Sequence, residues 1–161
     1  MLDVSGSVKK SMEGEDGLKA FAKFLVNNYA LGTDAARFSV VSFASVATTR
    51  IEWSTEQVDI NAAIDQMQVD SNFGTTISAG FEAAGRLFTA TRPGATNATK
   101  IVLLFSDGEQ SDKFGGQNAA IASADVIKES DVTVFAWGIG EADPKTMKEI
   151  ATDASKALFV K

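Results

Sequence analysis

The chain has 161 residues, 45% of them hydrophobic and 22% charged, the make-up of one folded domain rather than of a disordered or divided chain. Its formal charge is −6, with no lysine or arginine cluster to offset the acidic excess, which argues against nucleic acid and anionic lipid surfaces as partners. Cysteine and histidine are both absent, so disulfides, thiolate nucleophiles, Ser-His-Asp machinery and sulfur- or imidazole-ligated metals are excluded, and any metal is held by oxygen.

Leu2-Asp3 reads as the end of a strand. A buried strand normally has about five or six residues, so the first strand is expected to be truncated and the chain to be a fragment of a longer protein. No apolar run approaches the ~20 residues of a membrane span and the N-terminus lacks the regions of a signal peptide, so no membrane insertion by this chain is expected. From about Asp16, the residues Leu18, Phe21, Ala22, Leu25 and Tyr29 recur at helical spacing, and Gly32 follows as a stop. Phe38 to Phe43 (FSVVSF) is a strand, and Ala44-Ser45 turns it into Ala47 to Trp53, whose polar and apolar residues alternate as in a half-exposed antiparallel edge strand.

Ile60, Ala63, Ile64 and Met67 predict a second helix, and Ile77, Phe81, Ala84 and Phe88 a third that ends before Arg92-Pro93-Gly94. Ile101 to Phe105 (IVLLF) is a continuous apolar run of the kind buried on both faces of a parallel sheet. A polar loop to Gly116 leads to a helix from about Gln117 to Glu129, then to a strand from Val132 to Trp137 and a turn at Gly138-Ile139-Gly140. Pro144 suits the first position of a helix near Lys145 to Thr152, and Ala157 to Val160 closes the chain as a strand. This alternation predicts an α/β fold with a doubly wound, mostly parallel six-stranded sheet, helices on both faces and one antiparallel edge strand. With strand order 3-2-1-4-5-6, the switch point lies between strands one and four, where Asp3 and Asp107 would meet.

The stretch LDVSGSV sets Asp3, Ser5 and Ser7 at alternate positions, so three hard oxygens face one point, with Gly6 permitting the sharp turn. Taken alone, the same residues also suit a helix cap and a satisfied loop backbone. Asp107 adds a second carboxylate from the neighbouring strand end, and the loop NFGTTIS offers Thr75 or Thr76 as another hydroxyl. Asp70, Glu109 and Asp112 lie in nearby loops and are expected to be solvated, while Trp53 and Trp137 are expected to serve core or edge packing. Asn97-Ala98-Thr99 is a sequon that matters only in a secreted protein.

These pieces together resemble the von Willebrand factor A domains and their metal-ion-dependent adhesion site. Asp3, Ser5 and Ser7 match its DxSxS piece, Thr75 in the Gly74-Thr75 pair its threonine, and Asp107 in FSDGE its last acidic position. VVSFAS, IVLLFSDGE and VFAWGIGEADPKTMKEIA extend the resemblance over nearly the whole chain, the last looking like extracellular-matrix members. The resemblance implies one A-like domain over residues 1–161, Mg2+ (or Mn2+ or Ca2+) at those five residues, and an open coordination position for an acidic side chain of a protein ligand. It also implies an extracellular or cell-surface setting within a longer protein. The chain departs from the family in its short first strand, in the lack of the family's C-terminal helix and in FGTT where paired glycines are common.

Two other readings stand beside that one. The first is an assembly module of the same fold that binds partners without metal. The second is a magnesium-dependent phosphoryl-transfer enzyme, which also places an Asp after strand one. Haloacid-dehalogenase-type enzymes carry a second Asp two residues on, however, where this chain has Ser5, and no basic phosphate clamp is recognisable. No enzymatic activity is therefore expected.

Overall fold

A computed structural model of the chain describes residues 1–15, 17–70, 74–90, 98–140 and 142–160. The sequon asparagine Asn97, the Arg92-Pro93-Gly94 stop, the helix start at Asp16 and the Asn72-Phe73 part of the threonine loop lie outside the described residues. The strands are β1 (Leu2–Asp3), β2 (Phe38–Phe43), β3 (Ala47–Ser54), β4 (Lys100–Ser106), β5 (Val132–Ile139) and β6 (Ala157–Val160). The helices are α1 (Lys9–Met12), α2 (Leu18–Asn27), α3 (Gln57–Asp65), α4 (Ile77–Thr89), α5 (Gly116–Lys128) and α6 (Pro144–Ile150), with 3-10 turns at Asp112–Phe114 and Ala154–Lys156.

One sheet of order β3-β2-β1-β4-β5-β6 runs through the molecule, parallel throughout except for the β2–β3 hairpin. This is the strand order expected from the sequence. Helices pack on both faces of the sheet. On one, α4, α5 and α6 lay Ile77, Phe81, Ala120, Ala124, Met147 and Ile150 over Phe43, Leu104, Val134 and Ala136. On the other, α1, α2 and α3 lay Met12, Ala22, Val26, Ile60 and Ile64 over Leu2, Val40 and Phe105. α3 and α4 bury the stripes that their 3.6-residue spacing predicts, and α2 does so from Leu18 to Leu25, with Phe21 and Leu25 half-buried. Tyr29, expected in that stripe, lies beyond the end of α2 and is 56% exposed, its ring 5.7 Å from Phe38.

Strand β4 departs from expectation. Val102 and Leu104 are buried against α4 to α6, but on the opposite face Phe105 is buried, Leu103 half-buried and Ile101 44% exposed. The reason is the reach of α2, which touches this half of the sheet through Phe21: its ring lies 5.8 Å from Phe105 and 4.8 Å from Trp137. β5 alternates in the same way, with Val132, Val134 and Ala136 buried and Phe135, Trp137 and Ile139 half-buried. Gly138 and Ile139, expected to turn, instead continue β5 because β6 offers them Phe159 and Val160 as partners. The helix after Pro144 ends at Ile150 rather than Thr152.

Both tryptophans pack as expected. Trp137 sits edge-on to Phe105 at 5.0 Å, and Trp53 lies 5.3 Å from Phe88 while its indole N–H donates to the Leu87 carbonyl at 3.0 Å. No helix among the described residues is long and apolar enough to cross a membrane.

Two residues suffice to hold β1 because it lies between two strands. Leu2 and Asp3 pair with Ser42 and Phe43 of β2, Leu2 also pairs with Phe105 of β4, and the Val4 N–H continues the ladder to the Phe43 carbonyl at 2.9 Å. Asp3 is thereby fixed at the centre of the sheet's carboxyl edge.

Candidate functional site

Asp3 is fully buried where β1 ends. Its Oδ1 accepts the Ser5 backbone N–H at 2.8 Å and its Oδ2 accepts the Ser106 hydroxyl at 2.7 Å. The first bond closes an Asx-type turn, which bends the chain so that the Ser5 and Ser7 hydroxyls come within 2.9 Å of each other. Ser5 is buried and Ser7 exposed, so the pair runs from the floor of the crevice to its mouth. Gly6 is not what permits the bend: its φ is not in the left-handed region, and a Cβ there would meet no atom within 4 Å. The Asp3 turn makes it instead. The helix that follows directly is α1, anchored by the fully buried Met12, and no side-chain cap bond closes its start. No side-chain cap bond closes the start of α2 either, so the capping alternative for Asp3, Ser5 and Ser7 has no hydrogen bond behind it, whereas the loop-backbone alternative has one, the Ser5 N–H donated to Asp3.

Asp107 stands half-buried one residue beyond β4, its Oδ1 accepting the Glu109 N–H at 3.2 Å. Because β1 and β4 are parallel neighbours, Asp107 lies close enough to Asp3 to act on its charge. The structure thus brings Asp3, Ser5, Ser7 and Asp107 together at the switch point. Thr75 is buried in the loop before α4 and is tied to the loop after Asp107, its N–H donating to the Ser111 hydroxyl at 2.9 Å. Thr76 has another task, because its Oγ1 is the N-cap of α4 and accepts the Ala79 N–H. Gly74 has φ +140°, and a Cβ there would stand 2.6 Å from Lys113 Cε and 2.9 Å from the Phe114 ring, so a glycine is needed before Thr75.

Burial, and then the negative charge of Asp107, push the Asp3 carboxyl up from 3.8 to about 6, against hydrogen bonds from Ser5 and Ser106 that favour its charged form. Two carboxylates and several hydroxyls, with no nitrogen or sulfur, form a donor set suited to a hard divalent cation. Among the described residues no three acidic side chains gather into a metal-holding group, so such a cation would depend on the hydroxyls and on water as well as on Asp3 and Asp107. The residues present fit the ion in charge too: Asp3 is a buried anion beside another anion, and a cation between them would relieve both costs.

Two contributors escape a reading of the motifs. Ser106 bridges β4 to Asp3 and accepts the Gly108 N–H at 3.1 Å; the signal for it is its parallel pairing position, one residue past the Leu2–Phe105 pair. Asp70, expected to be solvated, is half-buried, its N–H donating to the Val4 carbonyl at 2.7 Å and its Oδ2 accepting the Ser45 hydroxyl at 3.3 Å. It joins the loop after β1 to the β2–β3 turn, whose Ser45 hydroxyl donates to its carboxylate. Glu109 and Asp112 are exposed, as expected.

The model of the von Willebrand factor type A domain matches residues 1–161. The chain belongs to that family. This A domain is 28% identical to the collagen alpha-5(VI) chain of Mus musculus over 163 residues, covering 99% of the present chain but 6% of the collagen chain. Among solved structures it is similar to proximal thread matrix protein 1 of the mussel byssus in the form with a zinc-occupied MIDAS motif, with TM-score 0.79 at 23% identity over 98% of this chain and 39% of that one. It is also similar to the manganese-loaded TRAP protein of Plasmodium vivax, with TM-score 0.79 at 16% identity over 99% of this chain and 66% of that one. Both likenesses are of fold, and the zinc and manganese are those proteins' ions. The A domain spans a small part of the collagen chain it matches, so what that whole protein does is not thereby assigned to it.

Proposed function

We propose that this A domain is a non-enzymatic, divalent-cation-dependent protein-binding module of the extracellular matrix or cell surface. Asp3, Ser5, Ser7, Thr75 and Asp107 are its cation ligands, some of them acting through water. Mg2+ is the leading ion, with Mn2+ or Ca2+ as alternatives. The observation that carries this reading is the pairing of buried Asp3 with Asp107 across the β1–β4 switch point, next to the Ser5–Ser7 hydroxyl pair. When bound, the ion supplies a Lewis-acidic position at a surface crevice, and the partner class that suits it is a protein offering an acidic side chain. Family membership and the collagen relative support the adhesion setting. Titration calorimetry of Mg2+ or Mn2+ into the wild type and Asp107→Ala tests the reading: heat in the wild type that is lost in the variant supports it, and equal heats or none in either refute it.

A second reading keeps the fold and makes partner binding independent of metal. The half-open apolar face favours it, with Phe24 58% exposed, Leu158 45% exposed and Ile101 44% exposed. Partner capture that is unchanged by a chelator would select this reading over the first.

A further inference from the structure

The loop carrying Thr75 and the loop following Asp107 come from different parts of the chain and are joined by an interlocking set of bonds. Ser111 makes two of them to a single residue: its N–H donates to the Thr75 carbonyl at 3.0 Å, and its hydroxyl accepts the Thr75 N–H at 2.9 Å. Gln110, 5% exposed, makes the next two. Its Oε1 accepts the Ser78 N–H at 2.8 Å, one of the donors that the first turn of α4 cannot satisfy itself, and its Nε2 donates to the Phe114 carbonyl at 2.8 Å. Lys113 and Phe114 then close over Gly74, where a side chain would not fit.

We propose that Ser111 and Gln110 are positioning residues that lock Thr75 and the start of α4 to the Asp107 loop, so that the hydroxyl and carboxylate sides of the site are held as one body. The inference rests on the cation reading given above for its effect on affinity, and on the hydrogen bonds alone for its effect on the loop. A ligand whose backbone is clamped at both its N–H and its C=O has little freedom left to lose on binding, and outer partners of metal ligands are worth about 10- to 100-fold in affinity. A merely structural role predicts something else: these bonds would satisfy buried loop groups, and their loss would lower overall stability without a selective effect on Thr75 or on the cation.

The test compares wild type, Ser111→Ala and Ser111→Thr, the last of which keeps the hydroxyl. Amide hydrogen exchange in cation-free buffer reads the loop, and Mn2+ calorimetry reads the site. We expect Ser111→Ala to speed exchange at Thr75 about tenfold, to weaken Mn2+ binding about tenfold and to lower its thermal midpoint by only a few degrees, with Ser111→Thr restoring both losses. Unchanged exchange at Thr75, or equal Mn2+ affinity in wild type and Ser111→Ala, overturns the inference and leaves the cation reading standing. A wild type that takes up no Mn2+ overturns the cation reading, and the exchange comparison then decides the clamp by itself. If Ser111→Ala does not fold, the wild type decides: joint slowing of Thr75 and Ser78 exchange on adding Mn2+ supports the lock, and no slowing at either overturns it.

Discussion

Asp3→Asn keeps the shape of the central side chain and removes its charge, which makes it the most informative single change. With the Asp3 carboxyl raised from 3.8 to about 6 by burial and by Asp107, holding it ionised at pH 7 costs the metal-free fold about 3 kcal/mol relative to the unfolded chain. Asparagine can still accept the Ser5 N–H through its oxygen, but the Ser106 hydroxyl must turn to accept from the amide, and a charge-assisted bond becomes a neutral one. That loss offsets part of the gain, so the net stabilisation should be about 1–2 kcal/mol, or a rise of about 2–8 °C in thermal midpoint for a chain of this size. The sign with pH follows from proton binding. Between about pH 4 and pH 6 the native carboxyl holds its proton while the unfolded one has released it, so wild-type stability in a chelator should fall as pH rises through that window and level off above it. Urea unfolding of both proteins with chelator from pH 4 to pH 7.5 reads slope and offset together. Asp3→Asn should flatten the slope, gain stability at pH 7 and no longer respond to added Mg2+. If Asp3→Asn is destabilised at pH 7 in chelator, or keeps the wild-type slope, the strained-carboxylate reasoning is wrong.

The two threonines should separate by assay. Thr76→Ala removes the α4 cap and should cost about 1 kcal/mol in urea unfolding with cation affinity nearly intact, whereas Thr75→Ala should weaken Mn2+ affinity in calorimetry with a smaller loss of stability. Gly74→Ala meets both a φ of +140° and the Lys113 and Phe114 side chains, and should destabilise by about 1–3 kcal/mol in the same unfolding assay while weakening the cation through displaced Thr75.

Much of this molecule could be read before its structure because its signals were periodic or positional. The helical stripes of α4 and of α2 as far as Leu25 and the alternation of β3 follow from spacing alone, and the strand order follows from the rule for alternating α and β units, whereas Tyr29 keeps the spacing but stands past the helix end and is exposed. What escaped depended on reach. IVLLF is apolar on both faces, but burial of its second face depends on how far α2 extends over the sheet, and no local pattern encodes that. Gly138-Ile139 looked like a turn until β6 supplied ladder partners. The four-residue α1 is too short for periodicity to show, although Val8 and Met12, both buried, stand one turn apart. At the site, residue types with cation chemistry announced themselves, whereas Ser106, Asp70, Gln110 and Ser111 act on groups distant in sequence and have no motif. Gly6 erred the other way, as a glycine whose freedom the bend does not use.

The central claim is that one divalent cation is held at the β1–β4 switch point. Titrating Mn2+, a paramagnetic ion, into isotope-labelled wild type and Asp107→Ala while following backbone amide resonances tests it most directly. The account predicts that substoichiometric Mn2+ broadens Ser5, Ser7, Thr75 and Asp107 together in the wild type and that this joint broadening is lost in Asp107→Ala. Broadening scattered over exposed acidic residues such as Asp59, Glu82 and Glu129, or the same pattern in both proteins, would contradict it.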